Sequence, residues 1–195
     1  MKIVQVVRAS ALVCLVAGLA GSGCMTTESD PEEAEASASI TLNTNATYSL
    51  VGVQSGKCIG IVGVSSANEA RLDIETCTFT ANQRFRPERV ANGFFRMRNE
   101  LTGLCMDVSH AVTTDRGAVI QFTCGTQTNQ QWSVTDVGDG SEVLTARHSG
   151  RVLDVTARGT ADGTLLEQFA SNGGTNQHFV MNQALPAIVP GPATE

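Results

Sequence analysis

Apolar residues in this chain stand singly or in short runs, and they recur at one long step. Leu50, Met97 and Leu144 are 47 residues apart, as are the sets Ile59/Met106/Leu153, Ile61/Val108/Val155, Leu72/Val119/Leu166 and Phe85/Trp132/Phe179. Within a copy, Ile59 and Ile61, Met106 and Val108, and Leu153 and Val155 alternate with other residues, which turns one face of a strand inward; helical spacing does not give that alternation. Turn formers keep the same step: Ser55-Gly56, Thr102-Gly103 and Ser149-Gly150, then Asn68, Asp115 and Asp162, with Asn92-Gly93 and Asp139-Gly140 near the ends of copies. The pattern predicts an all-β domain over residues 47–182, built from copies 47–93, 94–140 and 141–182 that bury one shared core.

Composition agrees with a turn-rich β domain: 42% hydrophobic, 16% charged, 19 glycines. The formal net charge of −6 is not offset by any basic cluster, which argues against a nucleic-acid backbone as partner.

The flanks differ from the middle. Lys2 and Arg8 precede an apolar run from Ala11 to Gly21 that is too short to span a bilayer, which needs about 20 residues, so residues 1–24 read as an export signal. The small residues Gly21-Ser22-Gly23 before Cys24 resemble the bacterial lipoprotein cleavage site, although Gly21 stands where that pattern usually has Leu. The resemblance implies lipidation of Cys24 and display at the outer membrane or cell surface, with secretion as the alternative. Residues 25–46 are mainly Thr, Glu, Ser and Ala, with clustered acids and almost nothing to bury, which predicts a disordered linker or stalk. Pro186, Pro190 and Pro192 make 183–195 a loose tail.

Cysteines carry the same repeat. Cys58 and Cys77 are 19 residues apart, as are Cys105 and Cys124, while the third copy has Val152 and Ser171 at both corresponding positions. Four cysteines allow three connectivities, and the repeat selects Cys58–Cys77 with Cys105–Cys124. Bridges of this kind fit an oxidising compartment. No close Cys-x-x-Cys pair occurs and the three histidines do not cluster, so no metal or other cofactor is expected.

Each copy closes with Asn followed by Gln-x-aromatic: Asn82-Gln83-Arg84-Phe85, Asn129-Gln130-Gln131-Trp132 and Asn176-Gln177-His178-Phe179. With the cysteines, the turns and the run Val152-Leu153-Asp154-Val155, this strongly resembles the ricin B-type lectin family of β-trefoils. The resemblance implies a β-trefoil with one shallow sugar site per copy. It also implies galactose-type or xylan-type glycans as partners.

A sugar site needs a carboxylate for adjacent hydroxyls, a ring for the C–H face and an amide for one further hydroxyl. The second copy offers Asp107, Phe122 and Asn129, with Gln130; the third offers Asp154, Phe169 and Asn176, with Glu167 and Gln177. The first copy has Gly60 and Glu75 at the carboxylate and ring positions and is expected to be dead, only Asn82 surviving. The family's Gln four residues before the second cysteine position is replaced by Ile120 in the second copy and Glu167 in the third. Gln83, Gln130 and Gln177 read better as fold determinants than as ligands, because a buried amide can satisfy backbone groups. No Ser-His-Asp or Cys-His arrangement is visible, so the chain is read as a non-catalytic carbohydrate binder. The alternative is a protein-binding trefoil, an inhibitor or assembly subunit, with unused sugar sites.

Overall fold

A computed structural model describes residues 40–184. Twelve strands occur among them: β1 Tyr48–Gly52, β2 Cys58–Ile61, β3 Leu72–Glu75, β4 Phe85–Arg89, β5 Phe95–Asn99, β6 Cys105–Val108, β7 Gly117–Phe122, β8 Trp132–Asp136, β9 Glu142–Ala146, β10 Val152–Val155, β11 Thr164–Phe169 and β12 Phe179–Gln183. Each copy supplies four strands, and every pairing between named strands is antiparallel.

Six of the strands close into a ring. β4–β5, β8–β9 and β12–β1 pair along five residues each. Single contacts Tyr48↔Phe85, Phe95↔Trp132 and Phe179↔Glu142 join these ribbons into a barrel. The hairpins β2–β3, β6–β7 and β10–β11 cap one end and meet at the axis through Thr164↔Ile74, Glu167↔Ala118 and Arg71↔Ile120. This is the β-trefoil that the family resemblance implies, with the three copies that the 47-residue step predicts. A closed barrel leaves no edge strand on its wall, so its backbone polar groups find partners within the fold.

The predicted apolar sets are the core. Phe85, Trp132 and Phe179, then Leu50, Met97 and Leu144, are buried in one cluster with the apolar strand pairs of the hairpins. Each such side chain contributes about 1.5–3 kcal/mol by leaving water. Both expected disulfides are formed, Cys58–Cys77 and Cys105–Cys124.

Neighbouring copies are clasped by side chains that the apolar pattern does not reveal. Gln121 donates to the carbonyls of Ser65 and Ala67, and Gln168 donates to those of Val112 and Thr114, all at 2.8 Å. Ile74 occupies the equivalent position in the first copy and makes that joint apolar.

The boundary of the expected linker needs correction. Residues 40–46 belong to the trefoil: the Ile40 amide donates to the Val134 carbonyl at 3.2 Å, and Leu42 and Ala46 are buried in the core. Their apolar side chains cover core that polar neighbours could not. At the other end β12 runs to Gln183, and the Ala184 amide donates to the Thr47 carbonyl. The expected signal segment with Cys24, linker residues 25–39 and tail residues 185–195 lie outside the described residues. Among the described residues no helix is long and apolar enough to cross a membrane.

Candidate functional site

The sites are built on the cap hairpins. In an antiparallel pair, residues directly opposite share a face. Asp107 on β6 stands opposite Ile120 on β7, Asp154 on β10 stands opposite Glu167 on β11, and Gly60 on β2 stands opposite Asp73 on β3.

Asp107 is held by both amides of its copy. Asn129 Nδ2 donates to Asp107 Oδ1 at 2.9 Å, and Gln130 Nε2 donates to Oδ2 at 2.8 Å. In the third copy Asn176 Nδ2 and Gln177 Nε2 both donate to Asp154 Oδ2, at 2.9 and 2.8 Å, so Oδ1 receives neither. Burial pushes the carboxyls of Asp107 and Asp154 up, and these amide donors oppose the rise by favouring the charged form. Glu167 is also raised, by burial and then by the charge of Asp154 across the hairpin, while Arg116 and Arg71 pull it down.

The three glutamines do one structural job. Gln130 also donates to the Thr123 carbonyl and accepts from the Gly125 amide. Gln177 makes the same pair of bonds with Ala170 and Asn172, and Gln83 with Thr76 and Thr78. At 1% exposure Gln130 and Gln177 lie beneath the aspartates and position them, as the fold-determinant reading expects.

The predicted residues meet in two open cavities. One, of about 490 Å³, gathers Asp107, Phe122, Asn129 and the edge of Gln130; the other, of about 420 Å³, gathers Asp154, Glu167, Phe169 and Asn176. Gln177 is not among the lining residues of the second. Phe122 is 36% exposed, a ring left partly bare at the cavity wall. Asn176 Oδ1 is buried without a hydrogen-bond partner.

Sequence reasoning missed the rims. The short 3-10 turns that follow β6 and β10 bring Ser109, His110 and Ala111 to the second-copy cavity and Thr156, Ala157 and Arg158 to the third. His110, Ala111, Ala157 and Arg158 hold positive φ between 49° and 56°, a conformation that costs non-glycine residues about 1–3 kcal/mol each and gathers at binding sites. Each cavity also borrows one residue from the preceding copy, Glu69 for the second and Arg116 for the third. Their positions one step beyond Asn68 and Asp115 were the available signal, but only the cap shows which cavity they face. The second-copy rim therefore carries Glu69 and His110, and the third carries Arg116 and Arg158. Among the described residues no group of three or more His, Cys, Asp or Glu is placed to hold a metal ion.

A family model described as ricin-type β-trefoil lectin domain-like matches residues 39–123, 81–169 and 128–186. No curated protein matches the chain. Among solved structures, the designed three-fold symmetric protein ThreeFoil is 33% identical with a TM-score of 0.70, covering 71% of this chain and 99% of its own. An exo-β-1,3-galactanase from Clostridium thermocellum is 31% identical with a TM-score of 0.71; the match covers 74% of this chain but only 31% of the galactanase. The C-half of an earthworm R-type lectin, solved with GalNAc, is 17% identical with a TM-score of 0.54 over 71% of this chain and 99% of its own, a likeness of fold.

Proposed function

The chain belongs to the ricin-type β-trefoil lectin family, and from that premise we propose that it holds carbohydrate, without transforming it, at the cavities of the second and third copies. The observation that carries this reading is the repeated unit itself: a carboxylate fixed by two amides, in one open cavity with a phenylalanine ring. It occurs at Asp107, Asn129, Gln130 and Phe122, and again at Asp154, Asn176, Gln177 and Phe169.

The chemistry follows from those groups. Adjacent sugar hydroxyls donate to the carboxylate, whose geometry is set before the ligand arrives, so little ordering is lost on binding. The phenylalanine ring covers the C–H face of the sugar. Glycoside cleavage needs two carboxyls on opposite sides of the bond, one of them kept protonated. The second copy has Ile120 where the third has Glu167, so the unit common to both cavities contains one carboxylate and suits binding.

A shallow site buries little of a sugar, and each hydrogen bond formed replaces one to water, so single sites bind weakly. Two sites on one chain raise avidity through effective concentration. Export with lipidation at Cys24, or secretion, extends the proposal; two disulfides fit an oxidising compartment, and surface display multiplies the valency.

The test is a glycan array carrying galactose-type and xylan-type ligands, probed with the oxidised full chain and with two double variants. Asp107→Ala/Asp154→Ala removes both carboxylates, and Phe122→Ala/Phe169→Ala removes both rings while leaving the amide network intact. Selective binding that both variants lose supports the site assignment. Undiminished binding by both refutes it.

A further inference from the structure

The first copy, expected to be dead, has moved its negative charge instead of losing it. Gly60 replaces the aspartate of β2, and the neighbouring strand β3 carries Asp73 directly opposite Gly60, with Glu75 two residues further on the same face. The positions equivalent to Asp73 are Ile120 and Glu167, and both line the cavities of their copies. The three-fold register therefore aims Asp73 into the first-copy site. A Cβ placed on Gly60 would lie 3.0 Å from Asn82 Nδ2 and 3.7 Å from Glu75 Oε2, so the carboxylate of Glu75 borders the space that an aspartate side chain fills in the other copies.

Asp73 is 2% exposed, and its Oδ1 has no hydrogen-bond partner. A nearby cation, Lys57, is already engaged: its Nζ is 2.7 Å from Asp162, which also accepts from Thr76. Burial raises the Asp73 carboxyl, and Glu75 and Asp162 raise it further. Once ionised, an orphaned buried acid beside a second acid lacks a cation.

The rim says what kind. Where the other copies carry Ser109-His110-Ala111 and Thr156-Ala157-Arg158, the first carries Val62-Gly63-Val64. Val64 is 57% exposed at a φ of 54°, an unusual conformation for a β-branched residue and one that holds its side chain out of the core. Gly163 stands where Glu69 and Arg116 reach into the other cavities, and open space surrounds its Cβ position. An apolar rim over an acidic floor suits an organic ammonium on an apolar or ring-shaped body better than a bare metal ion.

We propose that the first copy binds a small primary ammonium ligand, with Asp73 and Glu75 accepting from the ammonium and Val62 and Val64 covering its carbon skeleton. The site is independent of the sugar-binding reading of the other two copies. A sugar amine and a simple alkylamine share this chemistry, and separate probes distinguish them.

The experiment is an NMR titration of the oxidised full chain with glucosamine, N-acetylglucosamine, propylammonium and Ca²⁺, each as the added ligand. Glucosamine or propylammonium should move the amides of Gly60 to Val64 and Asn82, and N-acetylglucosamine, which lacks the charge, should bind there at least about tenfold more weakly. Response to glucosamine alone identifies a sugar amine, and equal response to both cations identifies recognition of the ammonium itself. Asp73→Asn and Glu75→Gln should each weaken the response about tenfold or more. Equal binding of the N-acetyl sugar, full binding by both variants, or movement of these amides by Ca²⁺ alone would overturn the proposal.

Discussion

Asp73 has a stability signature that can be measured without any ligand. Its carboxyl is pushed up from an ordinary 3.8 to about 7 in the folded protein, chiefly by burial and then by Glu75. Below pH 3.8 the group is protonated in both folded and unfolded chains and makes no difference. Between the two values the unfolded chain ionises while the folded one does not, so folding loses about 1.4 kcal/mol for each pH step. Above pH 7 both are ionised, and the loss levels off at about 4 kcal/mol. At 2% exposure there is little solvent at the group to screen this. Asp73→Asn keeps the shape and removes the titration. The variant should therefore match the wild type near pH 4 and exceed it by about 4 kcal/mol at pH 8, which is about 2 M in urea midpoint for an m-value of about 2 kcal/mol/M. Urea unfolding with disulfides intact, at pH 4, 6 and 8, reads this directly. A variant equal to or less stable than the wild type at pH 8, or a difference that does not change with pH, would refute the reasoning.

Three further outcomes follow from other parts of the molecule. Removing the second bridge with Cys105→Ser/Cys124→Ser should cost about 3 kcal/mol and lower the thermal midpoint, read by circular dichroism; an unchanged midpoint counts against a stabilising bridge. Gln168→Leu leaves the Thr114 carbonyl without its donor and removes one of two donors from the Val112 carbonyl, which keeps His148 Nε2, so it should cost about 1–3 kcal/mol, while Gln168→Glu should not restore it because a carboxylate cannot donate; urea midpoints test both. Sugar binding should fail on acidification at a higher pH than ordinary aspartates would give. Burial raises Asp107 and Asp154, protonation spoils the acceptor, and affinity is full on the alkaline side; calorimetric titration from pH 7.5 down to 4 that finds constant affinity removes the carboxylates from the mechanism.

The 47-residue step determined a great deal by itself. It implies three copies, the strand pairs of each hairpin, the disulfide connectivity and the burial of Phe85, Trp132 and Phe179, because a repeated apolar pattern has to bury repeated faces against one another. The family resemblance, laid over that step, pointed to Asp107 and Asp154 with their amides, and those amides do donate to the two carboxylates. Contacts between copies were not legible. Glu69 and Arg116 reach cavities of the following copy, and Gln121 and Gln168 clasp neighbouring backbones, only because the cap brings three hairpins to one axis. Nor did composition show that residues 40–46 leave the linker, since three apolar side chains, Ile40, Leu42 and Ala46, in a polar stretch acquire meaning only when core is there to receive them. The first copy is the sharpest case. Gly60 and Glu75 read as losses along the chain, and pairing across the hairpin turned Asp73 toward the same space, because facing is a property of register between strands and is not written within either one.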